Sequence, residues 1–310
     1  MAAPLSVGAL FALPYLTGLF LRFPTRPSVS LTVRETLDDA SCARSVSEES
    51  GTGRLFTKAH ISDRARDWEV RRLESCGWKL MLSERCAVRS DCLIDDVRAT
   101  GVYADAFVRA LDRELEGESA DLRFSIRVFR HRHAFDAYAA VSGARGAESF
   151  YDVRNAEVVL HAGGGVSWRL LMHELTHAYL DRVFDRRGPL WAMEGMAECF
   201  AYYRKGEESL VPGAESAIHE ARLRAASERD EIVPLGRLVA YDRDSFYGED
   251  HEVAYAQAWS LVRFLASDTH RPSALKELAR GRALEEMWNV QELERKWMAS
   301  LDRQIGRSPR

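Results

Sequence analysis

The stretch Ser167-Trp168-Arg169-Leu170-Leu171-Met172-His173-Glu174-Leu175-Thr176-His177-Ala178-Tyr179-Leu180, followed by Gly188-Pro189-Leu190-Trp191-Ala192-Met193-Glu194-Gly195-Met196-Ala197-Glu198, decides the reading of this chain. Ser167 is a good N-cap, and Leu170, Leu171, Leu175, Tyr179 and Leu180 supply an apolar face, so a helix is expected over Trp168 to Phe184. Gly188-Pro189 stops it. Pro189 at the next start and Gly206 past the end bracket a second helix, roughly Leu190 to Arg204. Four residues of α-helix rise about 6 Å, slightly more than one turn, so His173 and His177 project from one face and can reach one ion. Glu174 lies beside that face, where a carboxylate can take a proton from water that a metal activates.

A zinc site needs a third protein ligand, and Glu194 on the next helix supplies a carboxylate. Glu198 follows one turn later on the same face. It is placed to accept the other ring N–H of His173 or His177 and so fix the tautomer. The expected roles are therefore His173, His177 and Glu194 as ligands of Zn²⁺, Glu174 as general base, and Glu198 behind the ligands.

Outward from this pair of helices the pattern changes. Upstream, Trp78 to Leu82, Leu122 to Phe129 and Glu157 to His161 read as strands, with helical spacing at Val102 to Leu115 and Ala134 to Val141 between them. Downstream, Val253 to Ala266, Ser273 to Ala279 and Val290 to Leu301 read as helices. Strands with helices followed by helices alone imply an α+β fold with a helical C-terminal half.

The chain has 310 residues, 46% of them hydrophobic and 29% charged, which leaves room for a sizeable core and excludes a disordered chain. A formal net charge of −4 gives no global basic field, so nucleic acid is not an expected partner. The short cluster Arg127, Arg130, His131, Arg132 and His133 reads as a solvated strand end. Five cysteines without C-x-x-C pairs exclude a zinc ribbon. Cys76, Cys86 and Cys92 fall in one polar stretch and are read either as buried free thiols or as a source of a disulfide.

Residues 1–24 form an apolar segment without a charged side chain before Arg22, suited to a secretory signal or a membrane anchor through residues 4–21. Pro14 sits within it, no basic residue precedes it, and no good cleavage site follows. Export or membrane anchoring is the expectation, with a cytoplasmic chain as the alternative. Residues 25–70 read as a polar lead-in or linker, and 71–310 as the folded domain.

Together, His173-Glu-Leu-Thr-His177 and Trp191-Ala-Met-Glu194-Gly-Met-Ala-Glu198 resemble the gluzincin zinc metallopeptidases, and the second motif is similar to the peptidase MA-like group within them. Glu148 to Leu160, Tyr255 to Leu265 and Glu292 to Trp297 also read like that group, so the resemblance extends over residues 75–302. It implies a zincin-like fold in which a small twisted sheet and an active-site helix pack on the helical C-terminal half, with a cleft between. It also implies zinc-dependent hydrolysis of a peptide or protein substrate, lying as an added strand along 157–161. A tyrosine is the usual second donor to the oxyanion in this resemblance, and Tyr255 is the residue expected in that role, with His251 as substitute. The Gly-x-Met-Glu-Asn signature of the aminopeptidase branch is absent, and endo- or exopeptidase action stays open. The alternative is a zinc-binding, catalytically inactive metallopeptidase-like scaffold, membrane-associated through the apolar segment.

Overall fold

A computed structural model describes residues 77–306, apart from 186–187, 205–209, 211–215, 249 and 268–272. The expectations for residues 1–24 and 25–70, and for Cys42 and Cys76, lie outside the described residues. Among the described residues no helix is long and apolar enough to cross a membrane.

The fold is mixed α/β, a five-stranded sheet followed by helices. The strands are β1 (Lys79–Leu82), β2 (Cys86–Ser90), β3 (Phe124–Phe129), β4 (Ser149–Asp152) and β5 (Glu157–His161), in the spatial order β1-β2-β3-β5-β4. The three middle strands β2, β3 and β5 run parallel, and β1 and β4 close the two edges antiparallel. Parallel strands need helical crossovers, supplied here by α1 (Ile94–Leu115) and α2 (Arg132–Ser142). On one face the side chains of Val158 and Leu160 join the main core with α1 and with α3 (Trp168–Phe184). On the other, Phe129 and Val159 pack with Trp78, Phe135 and Phe150 under α2. The helical part comprises α4 (Leu190–Phe200), α5 (Ala217–Glu228), the short α6 (Leu235–Val239) and α7 (Arg243–Phe246), α8 (His251–Ser267), α9 (Ala274–Ala279), α10 (Leu284–Met287) and α11 (Val290–Gln304).

Helix α3 begins where Ser167 caps it, the hydroxyl accepting from Leu170 N–H, and ends with Asp185 in the left-handed region. Helix α4 is buried all round, and it is pressed onto α8 at Gly195. A Cβ there would lie 2.6 Å from the Ala258 carbonyl oxygen, so only glycine lets the two backbones come this close. The glycine of the Glu194-Gly195 pair therefore sets how deeply Glu194 sits.

Several expectations are corrected. Helix α4 stops at Phe200 rather than Arg204, because Tyr203 leaves the helix to pack on Tyr103 and Phe107. Helix α1 starts at Ile94 rather than Val102, through a turn whose buried residues include Thr100 and Gly101. Gly101 is small enough to face Met81. Strand β2 escaped the pattern because its polar residues are paired inside the sheet, Ser90 donating to the Val128 carbonyl and Arg89 to Ser125. Strand β4 escaped it by its brevity. Strand β5 is flanked by β3 and β4, so it cannot take a substrate as an added strand. Among the described cysteines, Cys86, Cys92 and Cys199 are buried and free.

Gly195→Ala is expected to destabilise the chain by about 1–3 kcal/mol, since backbone carbonyl and added methyl cannot both keep their places. Gly236→Ala, where a Cβ meets open space in α6, is expected to be neutral or slightly stabilising. Urea denaturation of the two variants compares them directly, and equal stability would sink this account of the motif's glycine.

Candidate metal site

His173 and His177 lie one turn apart on α3, their rings edge to face with centroids 4.8 Å apart. Glu194, from α4, completes a group whose ligand atoms can hold one metal ion. The pairwise distances are 3.1 Å between the two Nε2 atoms, 3.3 Å from His177 Nε2 to Glu194 Oε2, and 3.7 Å from His173 Nε2 to the same oxygen. Ligands about 2.0–2.1 Å from a tetrahedral ion stand about 3.3 Å from one another, so the three atoms already approximate one face of such a polyhedron. Glu194 Oε2 is buried and has no hydrogen-bond partner among the described residues. Buried carboxylate oxygens are rarely left so, and a cation is the partner its surroundings fit.

The other oxygen of Glu194 is occupied. Tyr247, just after α7, donates to Oε1 over 2.5 Å, leaving Oε2 turned toward the imidazoles. On the far side of His173, Nδ1 lies 3.2 Å from Glu198 Oε1. Glu198 Oε2 receives His219 Nε2 at 2.8 Å and Arg169 Nη1 at 3.4 Å. Glu174, one residue along α3 from His173, is buried, and the Ser149 hydroxyl at the start of β4 donates to its Oε1 over 2.8 Å.

The electrostatics follow from packing charges together away from water. Burial pulls the His173 imidazole down, but Glu198, Glu174 and Glu194 outweigh it and push it up to about 9. Burial pushes Glu194 up, and His177, His173 and the Tyr247 hydroxyl overcome this to bring it down to about 2. Glu198 is likewise held far below the usual carboxylate range, burial being outweighed by its contacts with His173 and His219. Tyr255, near the start of α8, packs on Phe246 and Tyr247 with centroids 5.2 and 6.2 Å away. Burial, then the charge of Glu194, raises its hydroxyl well above the ordinary phenol value, with smaller contributions from Tyr247, Glu198 and Glu174.

Of the expected site residues, His173, His177 and Glu194 come together as one group with Glu198 behind His173, while Glu174 is bonded to Ser149 and Tyr255 packs on Phe246 and Tyr247. His251 does not join the group: the residue is exposed and its Nδ1 sits 3.0 Å from the Gly248 carbonyl oxygen. His161 extends from β5 toward Phe135 of α2, on the sheet face opposite α3. Tyr247, His219, Ser149 and Arg169 were missed in the sequence. Of these only Arg169 carried a signal, since it precedes His173 by one helical turn. Comparison with protein-family models, with curated proteins and with solved structures finds no match to this chain.

Two outcomes are expected of this group as a metal site. Metal-free His173 carries its proton up to about pH 9 and must surrender it to offer Nε2, so affinity for a divalent ion should rise with pH by about tenfold per unit between about pH 7 and 9. Calorimetry in buffers of different ionisation enthalpy should count about one proton released per ion, and a pH-independent affinity over that range would contradict the assignment. Tyr247→Phe frees Glu194 Oε1 from its donor and is expected to weaken metal binding by about 10- to 100-fold with a small change in stability. Unchanged affinity in a chelator competition would remove Tyr247 from the site.

Proposed function

We propose that this chain is a zinc-dependent peptidase of the gluzincin kind, hydrolysing peptide bonds in peptide or protein substrates. The observation that carries the reading is the convergence of His173 Nε2, His177 Nε2 and the unpartnered Glu194 Oε2 at tetrahedral spacing, with a separate carboxylate, Glu174, alongside. The donor set of two imidazoles and one carboxylate suits zinc and is the kind that leaves a coordination position open for chemistry. Zinc bound there would polarise a carbonyl and lower the pKa of water toward neutrality.

The chain's own residues supply the rest of the reaction. Glu174 takes the proton of the attacking water and returns it to the leaving amine, while the Ser149 hydroxyl holds one of its oxygens and leaves the other for the proton. The Tyr255 hydroxyl remains protonated throughout, as a donor to the developing oxyanion must. Strand β4 pairs with β5 alone among the described strands, so its outer edge can accept an extended peptide by main-chain hydrogen bonds. Ser149 begins that strand and touches Glu174, which brings a bound peptide bond within reach of the base. Such binding tolerates many sequences, in keeping with a peptidase.

Glu174→Gln should retain zinc and lose about 10² to 10⁴ in kcat on a peptide library. Tyr255→Phe should lower kcat by about 10² to 10³ with zinc content and melting temperature unchanged. Chelation should abolish hydrolysis while the far-ultraviolet circular dichroism persists. A chain that binds zinc yet cleaves nothing, or a Glu174→Gln variant as active as the wild type, would favour a non-catalytic scaffold instead.

A further inference from the structure

We infer that His219 is a positioning residue that acts through Glu198 to hold His173 in the orientation and tautomer a metal ion needs. The inference rests on His173 being a ligand, and it extends the site to a helix beyond the two that carry the motif. His219 is 3% exposed and lies in the first turn of α5. Its Nε2 stands 2.8 Å from Glu198 Oε2, and the other oxygen of that carboxylate stands 3.2 Å from His173 Nδ1. One carboxylate thus lies between two imidazoles, hydrogen-bonded to His219 and within ion-pair distance of His173.

The direction of the first hydrogen bond can be deduced. His219 Nδ1 is buried and hydrogen-bonds to no described residue. A proton there would be stranded without an acceptor, so the ring keeps its proton on Nε2 and donates it to Glu198. Glu198 presents Oε1 to His173 Nδ1 and keeps the proton of the neutral ring there, so that the proton His173 gives up comes from Nε2 and the lone pair it uncovers is directed at His177 and Glu194. His219 can do this because its position is itself fixed. Ser216 caps α5 by accepting from His219 N–H, and the Tyr202 hydroxyl lies 2.8 Å from the Ser216 oxygen. The ring packs on Trp259 of α8, centroids 5.1 Å apart. Arg169 also reaches Oε2, but at 3.4 Å from a half-exposed side chain it is the weaker of the two donors.

The test is a double-mutant cycle on the full chain, read as zinc affinity by competition with a chromophoric chelator. His219→Phe keeps a ring against Trp259 but cannot donate, and should lower zinc affinity by about tenfold. His219→Gln, whose amide can donate to Glu198, should bind zinc nearly as the wild type does. Glu198→Ala should lower affinity by about 10- to 100-fold, and adding His219→Phe to it should cost nothing more. If His219 served only to pack against Trp259, its loss would be the same with Glu198 present or absent, and Gln would fare no better than Phe. That additivity, or a His219→Phe variant with wild-type affinity, overturns the inference while leaving the zinc site standing. If His219→Phe does not fold, His219→Asn, whose shorter amide falls short of Glu198, takes its place with the same expected loss. A wild-type chain that takes up no zinc overturns both this inference and the ligand assignment beneath it.

Discussion

Burying Glu174, Glu194 and Glu198 between α3 and α4 is the constraint on which the rest of this molecule turns. Three carboxylates removed from water repel one another and lose their hydration, and a fold can keep them only by supplying positive charge and hydrogen-bond donors in fixed positions. Each one is supplied differently. Glu194 has Tyr247 and the two imidazoles, Glu198 has His173, His219 and Arg169, and Glu174 has Ser149. The donors come from β4, α3, α5 and the turn after α7, so the sheet and the helical part are both committed to the same small volume.

This arrangement separates the two oxygens of each carboxylate by function. Tyr247 takes Oε1 of Glu194 and leaves Oε2 facing the two imidazoles, and His219 takes Oε2 of Glu198 and leaves Oε1 to His173. A carboxylate held at one oxygen has lost most of its rotational freedom before any ion arrives. The cost of ordering these side chains is met during folding, which would favour the binding of an ion. The raised proton affinity of His173 has the same origin, because positive charge on the imidazole offsets the charge of Glu198, Glu174 and Glu194.

The sheet contributes position more than chemistry. Its parallel centre is sealed on both faces, one by α1 and α3 and the other by α2, and its own buried charges are matched internally, Arg127 donating to Glu157 over 2.7 Å with Tyr138 on the same oxygen. A rigid sheet of this kind fixes the floor beneath α3. The close approach of α4 to α8 at Gly195 fixes the wall opposite. Strand β4 lies along the sheet edge that meets Glu174 through Ser149, whereas β5 is paired on both sides.

Helices α3 and α4, the parallel strands β3 and β5, and the grouping of His173, His177 and Glu194 were legible in the sequence, because each is declared by local spacing: caps, a period of 3.6 or 2, and residues one turn apart on a helix. Tyr247 and His219 were not legible at all. Tyr247 lies 53 residues from Glu194 and His219 lies 21 from Glu198, with no periodicity joining them. A donor is recruited by the unmet demand of a buried carboxylate oxygen, and that demand exists only once the chain has folded and water has left. The sequence by itself therefore determined which side chains could bind a metal and on which helices they ride. Which oxygen of each carboxylate is free to do so was decided by tertiary packing alone.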